Sequence, residues 1–279
     1  MVLVDVLSAD WRGICRRIVD AQRRIFERTP GIEARSAYEG VGEGGDDALA
    51  IDRRCEDVVF AELEELAAAG ASFVAVSEER GEVPFGSGGS VRVVIDPIDG
   101  SLNARRTLPS HSLSVAVASG ASMADVEFGY VYDFGAGEEF VARRGAGSTL
   151  GDDRIRVGAD RDELEVLGLE SAEPGWALPA LEVLAGKVYR LRVVGSIAIA
   201  ASYVAAGRFD AMLSLRSCRS VDAAAAQLIV REAGGRVRFG ELELGEASLA
   251  LEARYPMLVA AGEHGLATIR AASSACNRS

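Results

Sequence analysis

The sequence predicts a mixed α/β protein, with an α+β N-terminal half and an α/β C-terminal half. Three observations predict it. Two stretches near the start repeat apolar residues at helical spacing, at 11–26 and 51–66. Three consecutive stretches between 113 and 143 have the apolar and β-branched content of antiparallel strands joined by short turns. Beyond residue 160, strand-like and helix-like segments alternate, which favours a sheet covered on both faces. A chain of 279 residues holds one large or two modest domains. The polar, Gly-rich stretch 145–160 places a junction between residues 1–160 and 161–279.

The elements follow in order. Trp11, Ile14, Cys15, Ile18, Ile25 and Phe26 share one helical face and predict an amphipathic first helix. Residues 38–47 are rich in Gly and acid and predict a mobile loop. Ile51, Cys55, Val58, Val59, Leu63 and Leu66 predict a second helix. Apolar runs 73–76 and 91–95 predict two short buried strands, each ending in carboxylates. Segments 113–118, 127–133 and 138–143 predict consecutive antiparallel strands. The second half predicts strand 164–169, helix 178–185, strand 189–194, helix 197–206, strand 209–215 and helix 222–233. Strands 236–239 and 257–261 and a final helix from Glu263 complete it. There is no internal repeat and no low-complexity tract.

Composition excludes several classes. The net charge of −12 argues against nucleic-acid binding. No apolar run approaches the ~18 residues of a membrane-spanning helix, and no basic segment followed by an apolar one marks a signal peptide. The expectation is a cytoplasmic protein without a membrane partner. Cys15, Cys55, Cys218 and Cys276 lack CxxC spacing, so they are expected to be free buried thiols rather than zinc ligands. Lys187 is the only lysine among 30 basic residues, a bias of genome composition rather than of function.

The chemistry lies in three separated acidic motifs. Ser77-Glu78-Glu79 ends the first buried run, Asp96-Pro97-Ile98-Asp99-Gly100-Ser101 ends the second, and Val221-Asp222 opens a helix. Buried acids without cations are costly, whereas acids gathered at strand ends suit a hard divalent metal. Pro97 disfavours helix at Asp96, so Asp96, the carbonyl of Ile98 and Asp99 can face one centre. With Glu78 and Asp222 they form an all-oxygen set, suited to Mg²⁺ and poor for zinc. Asp222 also stands where it would N-cap its helix, and the two roles coexist. Gly100 and Ser101 put backbone N–H groups and a hydroxyl beside such a metal, an arrangement suited to phosphate.

These motifs, with Gly195-Ser196, the segment from Tyr203 to Asp210 and the segment from Val221 to Gly235, resemble the inositol monophosphatase family. The resemblance runs from about 46 to 262. That family is lithium-sensitive and magnesium-dependent, with fructose-1,6-bisphosphatases as relatives. Val221 stands where a Trp is usual, and in this the chain resembles the archaeal branch, whose members often hydrolyse both inositol phosphates and fructose 1,6-bisphosphate. The resemblance implies a layered α/β/α/β/α sandwich with the site between its halves, a homodimer, and two or three Mg²⁺ per site with Mn²⁺ as a substitute. Asp52 matches the outer metal ligand, although Ala48, Leu49 and Ala50 replace the Thr and Lys usual before it. The expected chemistry is attack by a metal-activated water oriented by Glu78 and Ser101, with Asp52 contributing through the metal. Ser101 replaces the family's common Thr and keeps the hydroxyl. Glu79 is expected to support Glu78.

The expected substrate contacts are Asp99, Gly100, Ser101, Gly195, Ser196 and Asp222. Leu215 stands where inositol-specific members carry a Glu. Arg192, Arg216 and Arg219 lie near the site in sequence and suit a second, distal phosphate. The leading reading is therefore a phosphatase of fructose 1,6-bisphosphate and myo-inositol 1-phosphate. The alternatives are inositol monophosphate alone, or 3′-phosphoadenosine phosphate, whose branch has longer insertions between the first two acidic motifs. A non-catalytic regulatory binding protein on the same scaffold is the reading outside this class, and the complete acid set argues against it. No Walker-type nucleotide loop is present. His111 and His264 receive no role, and Tyr132 and Asp133 are expected to flank the pocket.

Overall fold

The computed structural model describes residues 5–36, 38–41 and 47–276. Helix α1 (Trp11–Arg28) starts at Asp10, whose side chain accepts the Gly13 N–H, and it buries Trp11, Ile14, Cys15, Ile18 and Phe26 as its spacing predicts. A single turn, α2 (Ile32–Arg35), follows. Strands β1 (Tyr38–Val41) and β2 (Asp47–Leu49) pair antiparallel where a mobile loop was expected, and residues 42–46 of that stretch lie outside the described residues. Helix α3 (Ala50–Ala68) comes next.

The first half then builds a sheet from β3 (Phe73–Ser77), β4 (Gly81–Phe85), β5 (Arg92–Asp99), β6 (Ser112–Ala118), β7 (Val126–Asp133), β8 (Glu138–Arg143), β9 (Gly147–Leu150) and β10 (Asp153–Ile155), with the five-residue helix α4 (Ser101–Arg105) between β5 and β6. Its order is β10-β9-β8-β7-β6-β5-β3-β4. The key strand β5 has a parallel partner, β3, on one side and an antiparallel partner, β6, on the other. Two edge elements escape the sequence pattern. Strand β4 contains Pro84, which an edge strand accommodates because it has a side with no ladder to donate to. The stretch 145–160 is not a plain connector: its β9–β10 hairpin continues the sheet by backbone hydrogen bonds that polar residues supply as well as apolar ones.

The second half contains β11 (Leu164–Glu170), α5 (Pro174–Leu184), β12 (Val188–Arg192), α6 (Ile197–Ala205), β13 (Ala211–Ser214), β14 (Cys218–Arg219), α7 (Ser220–Glu232), β15 (Arg236–Phe239), β16 (Arg254–Tyr255), β17 (Met257–Ala260) and α8 (Glu263–Cys276). Five strands form a sheet in the order β12-β11-β13-β17-β15, parallel up to β13 and antiparallel beyond it. Strands β14 and β16 make a separate two-residue ribbon.

Helices α1 and α3 bury Trp11, Ile18, Val59 and Leu63 against one face of the large sheet. Helices α6 and α7 fill the space between the two sheets, and α5 and α8 cover the outer face of the second. The architecture is thus the expected α/β/α/β/α sandwich. Its middle layer is thin because Ala223, Ala224, Ala225 and Ala226 present only methyl groups, all fully buried, so α7 lies close to both sheets. The four cysteines are free and buried, as expected. Among the described residues no helix is long and apolar enough to cross a membrane.

Candidate active site

The ends of β3 and β5 lie side by side because the two strands are parallel and in register from Val74↔Arg92 to Ser77↔Ile95. Glu78, just past the end of β3, therefore comes beside Asp96 of β5. The β5–β6 register slips between Asp96 and Asp99. That bulge contains Pro97, and the Asp96 carboxylate steadies it by accepting the Ile98 N–H at 2.9 Å. The Ser101 hydroxyl donates to the Ile98 carbonyl at 2.9 Å. A small cavity of about 10 Å³ opens here, lined by Asp52, Glu78, Glu79, Asp96, Pro97, Ile98 and Ser101. That is room for about one water-sized sphere.

Asp99 and Asp222 stand beside this cavity. Asp222 is hydrogen-bonded to Asp96 and accepts the Arg219 N–H at 2.9 Å. It thereby closes a capping box at the start of α7, but from the third helical position: the helix begins at Ser220, so the N-cap is Arg219 rather than Asp222 as expected. Asp99 reaches across to the middle layer. Its Oδ2 accepts from the Ser196 hydroxyl at 2.5 Å and from the Ala198 N–H at 2.7 Å, at the first turn of α6. Asp99, Gly100, Ser101 and Ser196 are thus brought together from both halves, and Gly195 touches Gly100.

The electrostatics are those of acids held too close. Burial, then Asp222, Glu79, Asp52 and Asp99, push Glu78 up to about 8. Burial, then Asp222, push Asp99 up to about 7. Burial, followed by Glu78, Asp99 and Asp222, holds Asp96 well above the usual carboxylate range. Burial and then Asp52 raise Glu79 to about 7, and its buried Oε2 has no hydrogen-bond partner. Asp52 is only 7% exposed, so it is a buried lining residue rather than a surface acid. Crowded, desolvated, all-oxygen donors with one orphaned carboxylate oxygen fit a hard divalent cation. Among the described residues no three acid, His or Cys side chains are yet gathered on a single point. Glu78 is paired with Arg219 and Asp99 with α6, so a cation would draw them from these partners.

Four residues that the sequence reading passed over hold this arrangement. Glu56 is 1% exposed and accepts from the Ser77 hydroxyl at 2.6 Å and the Arg80 N–H at 3.2 Å, fixing the turn that carries Glu78 and Glu79. It follows Asp52 by one helical turn, a spacing that could have found it. Gln22 donates to the Pro97 carbonyl at 3.1 Å. Glu170 accepts the N–H groups of Val194 at 3.0 Å and Gly195 at 2.8 Å. It ends a buried strand in an acid, the signal already read at Glu78. Asn103 donates to the carbonyls of Ser110 at 2.7 Å and Val194 at 2.8 Å, joining the same two loops.

The remaining candidates separate. Arg219 is engaged with Glu78. Arg216 lies over the Trp176 ring, its Cζ 5.1 Å from the centroid. Arg192 is exposed and donates to its neighbour's carbonyl, Leu191 O, at 2.8 Å. His111 is packed between Phe26 and Phe134, with Nδ1 on the Leu108 carbonyl at 3.2 Å, which is a packing role. Asp133 accepts from the Tyr203 hydroxyl at 2.8 Å and so ties β7 to α6; neither it nor Tyr132 lines the acid cavity.

Known proteins share this architecture. A profile of the inositol monophosphatase family matches residues 15–274. A fructose-1,6-bisphosphatase/inositol-1-monophosphatase of Methanothermobacter thermautotrophicus is 32% identical over 90% of this chain and 92% of its own. The Nus factor SuhB of Escherichia coli is 32% identical over 74% of this chain and 76% of its own. A crystal structure described as an inositol monophosphatase–fructose 1,6 bisphosphatase superposes with a TM-score of 0.82 at 26% identity, covering 95% of this chain and all 100% of that one.

Proposed function

The chain belongs to the inositol monophosphatase family, a family of generally metal-dependent phosphatases, and on that premise we propose that it is a Mg²⁺-dependent phosphatase of sugar and polyol phosphate monoesters, with fructose 1,6-bisphosphate and myo-inositol 1-phosphate as its leading substrates. One observation carries the reading. Asp96 and Asp222, 126 positions apart, are hydrogen-bonded to one another beside Glu78 and Asp99; burial raises all four, and repulsion among the acids adds to it at Glu78, Asp96 and Asp99. Such a cluster is stabilised by cations, as a phosphatase of this kind requires.

Glu78, Asp96, the Ile98 carbonyl, Asp99 and Asp222, with Asp52 outside them, would hold two or three Mg²⁺, for which Mn²⁺ would substitute. When bound, Mg²⁺ supplies a more acidic water and neutralises charge on the phosphate and the leaving oxygen. The chain's own groups do the rest. Glu78 and the Ser101 hydroxyl face one cavity and would orient the attacking water, with Glu78 Oε taking up its proton. The N–H groups of Gly100 and Ser101 would hold phosphate oxygens. Gly195 and Ser196, steadied by Glu170, would meet the sugar or polyol ring.

The protein would work as a cytoplasmic homodimer. Leu102, Leu108, Tyr189 and Val193 are at least half exposed on two segments that Asn103 joins, an apolar surface suited to a second copy. A second reading draws on the relative named a Nus factor: a non-catalytic binding role on the same scaffold. Phosphate release from fructose 1,6-bisphosphate and inositol 1-phosphate, measured side by side across a Mg²⁺ titration, decides. Turnover of both supports the dual reading. Turnover of inositol phosphate alone narrows it. No Mg²⁺-dependent release from either, nor from 3′-phosphoadenosine phosphate, favours the binding role.

A further inference from the structure

We propose that Gln22 is a positioning residue: by joining the helix that carries Asp52 to the bulge that carries Asp96 and Asp99, it sets the spacing of these acids and so favours Mg²⁺ over the larger Ca²⁺. The proposal rests on the metal-dependent reading above and adds to it what selects the ion.

Gln22 departs from the pattern of its own helix. Ile18 and Phe26, one turn to either side on the buried face of α1, are apolar, whereas Gln22 is a polar side chain with 0% exposure. Its Nε2 carries two hydrogens and donates to two carbonyls, Pro97 at 3.1 Å and Cys55 at 3.4 Å. Among the described residues its buried Oε1 has no hydrogen-bond partner. That is a cost which a leucine or methionine in the same place would not carry. Packing alone calls for an apolar residue here, and the two donated bonds are what an amide adds.

The two carbonyls belong to the two parts of the site. Pro97 lies in the bulge where the β5–β6 register slips. Its carbonyl and the Ile98 N–H are the two ends of one peptide group, and a trans peptide points them to opposite sides. Gln22 holds the carbonyl, and the Asp96 carboxylate holds the N–H at 2.9 Å. The plane of that peptide is fixed from both sides, and with it the Asp96 carboxylate and the direction of the next carbonyl, Ile98. Cys55 follows Asp52 by three positions on α3, about one turn along the same face. One nitrogen atom thus bridges the strand with the inner acids and the helix with the outer one. Phe26, Ile51, Cys55, Ile98 and Ala104 pack the same elements together, but apolar contact is non-directional and does not set the rotation of a peptide plane. Mg²⁺ demands near-octahedral oxygens at about 2.0–2.1 Å, whereas Ca²⁺ accepts irregular sets at about 2.3–2.6 Å. Donors held at a fixed spacing therefore suit Mg²⁺, and loosening the bridge costs Mg²⁺ more than Ca²⁺.

Gln22→Met, of similar length but without a donor, tests this in the full chain freed of metal. Calorimetric titrations with Mg²⁺ and with Ca²⁺ give the ratio of the two affinities, and melting curves report the fold. The ratio of Mg²⁺ to Ca²⁺ affinity should fall about tenfold, through the Mg²⁺ affinity, with the melting temperature shifted by no more than about 4 °C. An unchanged ratio overturns the proposal, whether both affinities hold or both fall together with the melting temperature. Gln22→Leu, which continues the apolar face of Ile18 and Phe26, is read in the same way should Gln22→Met not fold. If neither variant folds, Gln22 serves the core rather than the ion, and the proposal is overturned. If the wild type binds no Mg²⁺, the metal-dependent reading itself fails and takes the proposal with it.

Discussion

Gly100 and Gly195 meet backbone to backbone across the cleft: a Cβ on Gly100 would stand 2.9 Å from the Gly195 carbonyl oxygen. Both adopt left-handed conformations, with φ of +93° and +81°. Only a residue without a Cβ brings the turn at 99–101 and the turn at 194–196 this close.

Gly195→Ala should therefore harm both fold and activity. Its Cβ would fall 2.6 Å from Asn103 Nδ2, forcing that side chain off the Ser110 and Val194 carbonyls. Backbone strain and the lost bonds should together cost about 2–3 kcal/mol. Denaturant melts check this. Asn103→Ala should cost less alone, and the two changes should be markedly less than additive because they remove the same contacts.

Glu170 should make stability fall as pH rises. Burial pushes its carboxyl up to about 7, and the Val194 and Gly195 N–H groups only partly offset this. The folded state thus binds this proton more tightly than the unfolded state, whose value is near 4.5. The contribution is full below that value and is lost as pH rises through about 7. Glu170→Gln should flatten the slope of melting temperature between pH 5 and pH 8; an unaltered slope counts against it. Glu170→Ala leaves two part-buried N–H groups without their carboxylate and should cost about 1–3 kcal/mol.

Glu56 is expected to act on the cation through geometry. It holds the Ser77 hydroxyl and Arg80 N–H on either side of Glu78 and Glu79, and Arg80 Nε lies 3.3 Å from its Oε2. Glu56→Ala should weaken Mg²⁺ binding roughly ten- to hundredfold, the usual cost of losing a residue that orients a ligand. Calorimetric Mg²⁺ titration reads this directly, and Glu56→Gln, which can still accept from Ser77, should recover part of it.

Asp99→Asn should separate folding from chemistry. The amide oxygen can still accept from Ser196 or Ala198, so the melting temperature should change little. Hydrolysis should fall more than about a hundredfold, because a neutral group stabilises a cation by several kcal/mol less. Single-turnover phosphate release measures it.

Glu78, Asp96 and Asp99 of the candidate site were legible because they follow buried apolar runs, a pattern that strand physics makes conspicuous. Asp222 was legible as an acid, while the N-cap expected of it falls to Arg219 because the helix begins two residues earlier, at Ser220. The layering needed the family resemblance, since periodicity shows that α7 is helical but not that sheets cover both of its faces. Strand β4 was missed because Gly81, Glu82 and Pro84 do not read as strand, yet an edge tolerates them. Glu56, Glu170 and Asn103 were missed because the contacts that give them their roles are distant in sequence: Ser77 is 21 positions from Glu56, and Val194 is 24 from Glu170 and 91 from Asn103.

Asp99 belongs by covalent bond to a strand of the first sheet and by hydrogen bond to the helix against the second. A cation taking hold of this carboxylate must redistribute electron density that the Ala198 N–H also draws on. The amide of Ala198, on a residue with no side chain able to coordinate anything, thereby becomes a remote gauge of occupancy. Its ¹⁵N resonance and its solvent-exchange rate should follow a Mg²⁺ titration point by point, and any ion that binds elsewhere in this acidic chain should leave them still.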